Sequence, residues 1–242
     1  ALDRTLPNFR EENRREVSWF YRCCDEILSR LIESAGPEVL TLVVSDHGFA
    51  RLDTFFKMNV WLRQHGYLKL SRSSQRQETR NQLKRKIPIL RYLARGYGRL
   101  KKTWESADQD PSQELLHNLQ DTIDLSRSSA FSVGAMAGLV YLNAEHSQRE
   151  GLSREIAGRL LAEYGPSAVT AVIEKIYSGK ELFAVEPSEG MPDLVVQFAE
   201  GVLGYVLPMG EEAVTQPDYT DTPKGFMQLL GTHSQRGVFL AQ

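Results

Sequence analysis

The chain has 242 residues, of which 25% are charged and 41% hydrophobic, with a formal net charge of -2. A chain of this length can bury one substantial core, and the composition is ordinary for a globular protein. The small net charge argues against nucleic-acid binding by the chain as a whole, and no apolar run approaches the roughly 20 residues needed to cross a bilayer.

The first predicted element is an amphipathic helix from Arg10 to Glu33. Its apolar residues recur at steps of three and four, which places them on one face that is expected to dock on a sheet. They are Val17, Phe20, Tyr21, Cys24, Ile27, Leu28, Leu31 and Ile32. Gly36 and Pro37 end the helix, because neither residue favours its continuation.

The two cysteines of the chain, Cys23 and Cys24, are neighbours in this helix. Adjacent cysteines rarely reach the geometry of an ordinary disulfide, and no disulfide framework can be drawn. This favours a reducing compartment, and we expect the protein in the cytoplasm. A vicinal pair could bind a soft metal or sense the redox state, but Cys24 lies in the apolar stripe, which favours a structural cysteine.

A strand is predicted from Val39 to Val44, and two polar residues follow it at Asp46 and His47. The strand is apolar without alternation, which is typical of a strand covered on both faces. Chemistry in open α/β sheets lies at such strand ends. A carboxylate beside an imidazole suits a divalent ion such as zinc or manganese. Alternatively, the pair is only a polar exit from the strand.

The next part of the chain is predicted to leave the sheet. A short helix spans Asn59 to His65 and ends at Gly66. From Arg72 to Lys102 many Lys and Arg residues stand against a single acidic one, Glu78. We expect residues 71–119 to form a basic helical insertion. It is either a solvated excursion or a cap that reaches toward an anionic substrate, a membrane surface or a nucleic acid.

The second half returns to a pattern that is typical of a sheet. A helix is predicted from Ser153 to Glu163, with Ser153 as its N-cap, and residues 168–177 fit either a strand or a helix. The predicted strands are Phe131–Val133, Leu139–Leu142, Asp193–Phe198 and Val238–Ala241. The chain stops inside the last of these apolar strands, so we expect it to be an incomplete part of its domain.

Three groups of residues carry a resemblance to a known family. Residues 45–49 read Ser-Asp-His-Gly-Phe and are followed by Met-Asn-Val-Trp-Leu at 58–62 and Gly-Tyr-Leu at 66–68. Residues 123–131 lead to Val-Tyr-Leu-Asn at 140–143, and residues 231–239 read Gly-Thr-His-Ser-Gln-Arg-Gly-Val-Phe. In this order they resemble the alkaline phosphatase superfamily, in its type I phosphodiesterase / nucleotide pyrophosphatase branch. Within that branch the chain is most similar to the predicted phosphohydrolase/phosphomutase group.

The resemblance implies an α/β fold, with an alkaline-phosphatase-like, mostly parallel sheet flanked by helices and interrupted by a helical insertion. Residues 1–70 and 120–242 are then parts of one domain, and residues 71–119 are the cap. The implied activity is metal-dependent hydrolysis of a phosphoester or phosphodiester. The implied substrate is a small-molecule, nucleotide or lipid phosphoester.

Members of this superfamily use two divalent ions, and zinc is expected here, with manganese as the alternative. By the resemblance, Asp46 and His47 bind the ion beside the nucleophile. His233 helps to bind the other ion, together with Asp3 from an Asp-Arg-x-x-His stretch. The histidine position of that stretch holds Pro7, which has no donor atom.

The family's nucleophile matches no residue between Ala1 and Gln242, and we expect it upstream of Ala1. Residues 1–242 alone are therefore predicted to be inactive, whereas the whole protein is predicted to be a phosphoric ester hydrolase. Pro7 supports a second hypothesis. In that hypothesis the chain is a pseudoenzyme or regulatory binding domain that has kept the scaffold and lost one metal site.

Overall fold

The computed structural model describes residues 9–76, 122–133, 138–183, 190–206, 208, 210–217, 231–234 and 236–241. Within them the helices are α1 (Glu11–Ala35), α2 (Met58–Gln64), α3 (His146–Tyr164) and α4 (Gly179–Phe183), with a 3-10 turn at Leu125–Arg127. The strands are β1 (Leu42–Val44), β2 (Gly48–Arg51), β3 (Thr54–Lys57), β4 (Ala130–Ser132), β5 (Gly138–Leu142), β6 (Ile173–Ser178), β7 (Leu194–Phe198), β8 (Val202–Tyr205), β9 (Val214–Thr215), β10 (Gly231–Ser234) and β11 (Phe239–Ala241).

The chain forms two compact units. The first contains residues 1–53 and 216–242, and the second contains residues 54–215. The predicted insertion begins in the second unit, where residues 72–76 are helical. Residues 77–121 lie outside the described residues, so the division into one domain and a cap over residues 71–119 stays a prediction. No helix in the described ranges is long and apolar enough to cross a membrane.

In the first unit, α1 confirms the predicted helix. Glu11 and Glu12 lie in its first turn, where their negative charges interact favourably with the positive end of the helix dipole. The chain leaves the helix at Gly36, whose φ is +86° and whose N–H donates to Ile32 O at 3.2 Å. The predicted docking of its apolar stripe is wrong, since α1 has no buried residue and Cys24 is exposed. A helix of 25 residues is about 37 Å long, and strands of three or four residues are too short to cover it.

The first unit also contains two antiparallel strand pairs, β1 with β11 and β2 with β10. Strands were predicted near both β1 and β11, and both are present. The prediction that β1 is buried on both faces is wrong, because Leu42 is 53% and Val44 is 64% exposed. Within the described residues β1 pairs only with β11, and so narrow a sheet leaves its faces open.

The second unit is built on a four-stranded sheet in the order β4, β5, β7, β6, and each pairing in it is antiparallel. Helix α3 packs on it through Ile156 and Leu160, which are fully buried. This helix begins seven residues before the predicted start, so the assignment of Ser153 as its N-cap is wrong. Gly151 lies inside this helix. The helix tolerates it, since one glycine in a helix interior costs only about 1 kcal/mol relative to alanine.

A three-stranded sheet in the order β8, β3, β9 completes the second unit. Strand β3 runs parallel to β8 and antiparallel to β9. The α/β class is therefore confirmed, whereas the single, mostly parallel sheet is not, since most pairings in the described residues are antiparallel. The finer fold stays a proposal.

Helix α2 lies at the centre of the core of the second unit. The predicted short helix is confirmed, and it gives way to Gly66 with a φ of +83°. All five residues of the Met-Asn-Val-Trp-Leu segment are buried. The amide of Asn59 is bonded to the backbone of Ser132 in β4 and to the carbonyl of Val206 after β8. This segment of the motif is thus a packing element.

Candidate metal centre

The pairing of β2 with β10 brings together two histidines that are far apart in the sequence. In the antiparallel register, Phe49 lies opposite His233 and Gly48 lies opposite Ser234. His47 directly precedes β2, two residues before Phe49, so its side chain lies on the same face as Phe49. The imidazole rings of His47 and His233 stack, with centroids 3.7 Å apart and planes 14° apart. The sequence predicted both residues, but it did not predict either strand of this pair.

Two glycines permit the close approach of the two segments. A Cβ at Gly48 would lie 2.0 Å from the carbonyl oxygen of Arg236, and a Cβ at Gly237 would lie 2.6 Å from Ser45 Oγ. The backbones of Ser45 and Val238 are joined by a 3.0 Å hydrogen bond, and Ser45 Oγ accepts a second one from Val238 N at 2.6 Å. Ser45 thus joins the two segments through its backbone and its hydroxyl.

The ring of His47 is oriented by its own loop. Its Nδ1 lies 3.0 Å from the carbonyl oxygen of Gly48. A hydrogen on Nδ1 satisfies that carbonyl and leaves Nε2 with a free lone pair, which is how metal-binding histidines are commonly oriented. The carboxylate of Asp46 is 88% exposed and accepts a bond from the backbone N of His47 at 3.0 Å. Its Oδ1 lies 3.7 Å from Nε2.

The distance between these two donor atoms fits a shared ion. Zinc binds nitrogen and oxygen at about 2.0–2.2 Å, so tetrahedral ligand atoms lie about 3.4 Å apart. The 3.7 Å between Asp46 Oδ1 and His47 Nε2 is close to that value. A carboxylate oxygen and a neutral imidazole are also donors that both zinc and manganese accept.

The ring of His233 does not fit the same ion as His47. Imidazole lone pairs lie in the ring plane, and these two planes are nearly parallel, so the lone pairs do not converge on one point. Each ring can instead hold an ion of its own.

The remaining predicted ligand is Asp3, whose role as a metal ligand stays a prediction. Asp3 and Pro7 lie outside the described residues. Across the ranges that the structure describes, no three His, Cys, Asp or Glu side chains are grouped closely enough to hold an ion. The described part of the site is thus the pair Asp46 and His47, with the stacked His233 beside it.

Phe49 belongs to the Ser-Asp-His-Gly-Phe segment, but sequence reasoning predicted no role for it. Phe49 is 78% exposed, and its ring is nearly perpendicular to the rings of both His47 and His233. Its position directly after Asp-His-Gly was the available signal. The pattern of residues alone did not distinguish Phe49 from an ordinary apolar residue of a strand.

The described residues thus form a mixed α/β chain in which an Asp-His pair lies beside a second, stacked histidine. The family model for type I phosphodiesterase / nucleotide pyrophosphatase matches residues 2–133, which include Asp46 and His47. The chain belongs to this family, which lies in the alkaline phosphatase superfamily. No curated protein matches the chain. No solved structure matches it either.

Proposed function

We propose that the chain is part of a phosphohydrolase or phosphodiesterase that hydrolyses a phosphoester through a two-metal site. The observation that carries this proposal is the stack of His47 on His233, with the carboxylate of Asp46 beside His47. Membership of a phosphodiesterase family supports phosphoester hydrolysis. The distance between Asp46 Oδ1 and His47 Nε2 supports one ion at this pair, and the nearly parallel ring planes support a separate ion at His233.

In this proposal Asp46 and His47 hold one ion, and His233 holds the other with Asp3. When bound, such ions polarise phosphoryl oxygens and favour the ionised form of the nucleophile. The chain's own residues set the geometry. The Gly48 carbonyl holds the His47 ring in one orientation, and the pairing of β2 with β10 fixes His233 against it. The nucleophile is proposed to lie outside residues 1–242.

The proposed substrate is a small-molecule, nucleotide or lipid phosphoester. The finer fold proposed with it is the mostly parallel sheet of the superfamily, with residues 71–119 as a cap. The proposed location is the cytoplasm, which is supported by the free thiols of Cys23 and Cys24.

One observation favours a second candidate function. Pro7 occupies the position at which the resembled family has a metal-binding histidine, and proline has no side-chain donor. A protein that lost this ligand could keep the scaffold as a pseudoenzyme or a regulatory binding domain. Restoration of turnover by Pro7→His would support this alternative.

The test is metal-dependent turnover. The full-length protein and residues 1–242 alone are assayed on bis(4-nitrophenyl) phosphate and 4-nitrophenyl phosphate, with a chelator and then with zinc or manganese. We expect turnover only by the full-length protein with metal, and loss of turnover in His47→Ala and His233→Ala. His65→Ala is the matched control, since His65 is bonded to Glu163 in the second unit. Turnover that survives the chelator, or both site substitutions, would contradict the proposal.

A further inference from the structure

Phe49 presents an aromatic surface to solvent beside the candidate metal ligands. It is 78% exposed, although it lies in β2 and not in a loop. The register with β10 places it opposite His233. Other apolar side chains of the first unit are also exposed, but among the described residues it is Phe49 whose ring contacts both candidate metal-binding histidines.

The ring is also held in place. Its centroid lies 5.3 Å from that of His47 with planes 85° apart, and 6.0 Å from that of His233 with planes 83° apart. Perpendicular contacts at these separations are favourable arrangements for aromatic rings. The strand and both imidazoles thus define the position of the ring before any ligand arrives. A fixed and open aromatic ring loses little conformational freedom on binding a ligand.

We propose that Phe49 is a specificity-determining residue, whose ring packs against an aromatic group attached to the phosphorus of the substrate. This inference rests on the proposed function, because it takes the phosphoryl group to bind at Asp46, His47 and His233. It narrows the substrate class to phosphoesters that carry an aryl ring or a similarly flat organic group. A small alkyl ester would leave most of the Phe49 ring in water.

Binding of two phosphonates tests the proposal without any need for turnover. Phenylphosphonate and methylphosphonate carry the same acidic group and differ only in the organic substituent. Isothermal titration of the full-length protein, with zinc present, gives a dissociation constant for each. We expect phenylphosphonate to bind about tenfold more tightly. In Phe49→Ala the two constants become similar, and in Phe49→Trp the preference for phenylphosphonate remains.

Phe239→Ala is the matched control. Phe239 is 71% exposed and belongs to the same unit, but it lies in β11, which pairs with β1 and not with β2. This variant is expected to keep the preference for phenylphosphonate. Equal affinity of the wild-type protein for the two phosphonates, or no binding of either, would overturn the proposal. So would a preference that survives in Phe49→Ala.

Turnover separates this proposal from the proposed function. Phenyl 4-nitrophenyl phosphate and methyl 4-nitrophenyl phosphate share a leaving group and differ in the group that stays on phosphorus. A Phe49-dependent preference for phenylphosphonate, without turnover of either diester, would support the role of Phe49 in binding and contradict the proposed hydrolase activity. Equal kcat/KM values for both diesters in the wild-type protein and in Phe49→Ala support the hydrolase and overturn the role of Phe49. A lower Tm in Phe49→Ala, with the preference for phenylphosphonate unchanged, would assign Phe49 to packing and also overturn it.

Discussion

Replacement of Asn59 by Leu is predicted to destabilise the second unit strongly. Asn59 is fully buried in α2. Its Nδ2 donates to Ser132 O at 2.8 Å and to Val206 O, and its Oδ1 accepts a bond from Ser132 N at 2.7 Å. One amide therefore joins α2 to β4 and to the chain after β8.

The magnitude follows from what the substitution leaves behind. Leucine fills a similar volume but satisfies none of these backbone groups. A buried N–H without a partner costs about 1–3 kcal/mol, and each lost bond to a carbonyl costs about 1 kcal/mol. The expected loss for Asn59→Leu is therefore about 3–5 kcal/mol, which is a large part of the stability of a typical domain.

Urea unfolding followed by Trp61 fluorescence measures this loss. Trp61 is fully buried in the same helix, and Trp19→Phe and Trp104→Phe remove the other two indoles of the chain. Asn13→Leu, at an exposed position of α1, is the matched control and is expected to change stability by less than about 0.5 kcal/mol. A loss below about 1 kcal/mol for Asn59→Leu would refute the reasoning.

Two further predictions concern the contacts of α3. Glu163 accepts hydrogen bonds from Trp61 Nε1 at 2.8 Å and from His65 Nε2 at 2.9 Å. Glu163→Ala should therefore lower the free energy of unfolding in urea by about 1–3 kcal/mol, and Glu163→Gln should lower it less; equal losses in the two variants would contradict this. Burial, and then the 2.6 Å bond to Glu155, raise the pKa of Tyr67 to about 12. The stability that depends on the neutral hydroxyl is fully present below about pH 10 and is lost as the pH rises through 12. The free energy of unfolding of the wild-type protein should therefore fall relative to that of Tyr67→Phe over that interval; a constant difference would contradict the assignment.

The sequence predicted local elements better than the pairing of distant ones. Helices α1 and α2 and the strands β4, β5, β7 and β11 follow from periodicity and from glycine positions. The partners of these strands could not be predicted, because periodicity shows which residues can share a face but not which segment covers it. The exposed apolar side chains of α1 and β1 are the clearest example of this limit.

The candidate site shows the same limit in its chemistry. Asp46 and His47 could be predicted as a pair because they are adjacent in the chain and follow an apolar strand. His233 could be connected to them only by resemblance, since the pairing of β2 with β10 had no signal in the sequence. The stacking of the imidazoles, and with it the argument for separate ions, depends on that register and on the space left by Gly48 and Gly237.

The most direct test of two separate ions is the metal content of the full-length protein and of its single-histidine variants. Inductively coupled plasma mass spectrometry, after equilibration with zinc and gel filtration, gives the number of ions per chain. The wild-type protein is predicted to hold about two ions. His47→Ala and His233→Ala are each predicted to lose one of them, and the double variant both. Identical zinc content in the wild-type protein and the double variant would contradict the account, and so would a single ion that is lost completely in each single variant.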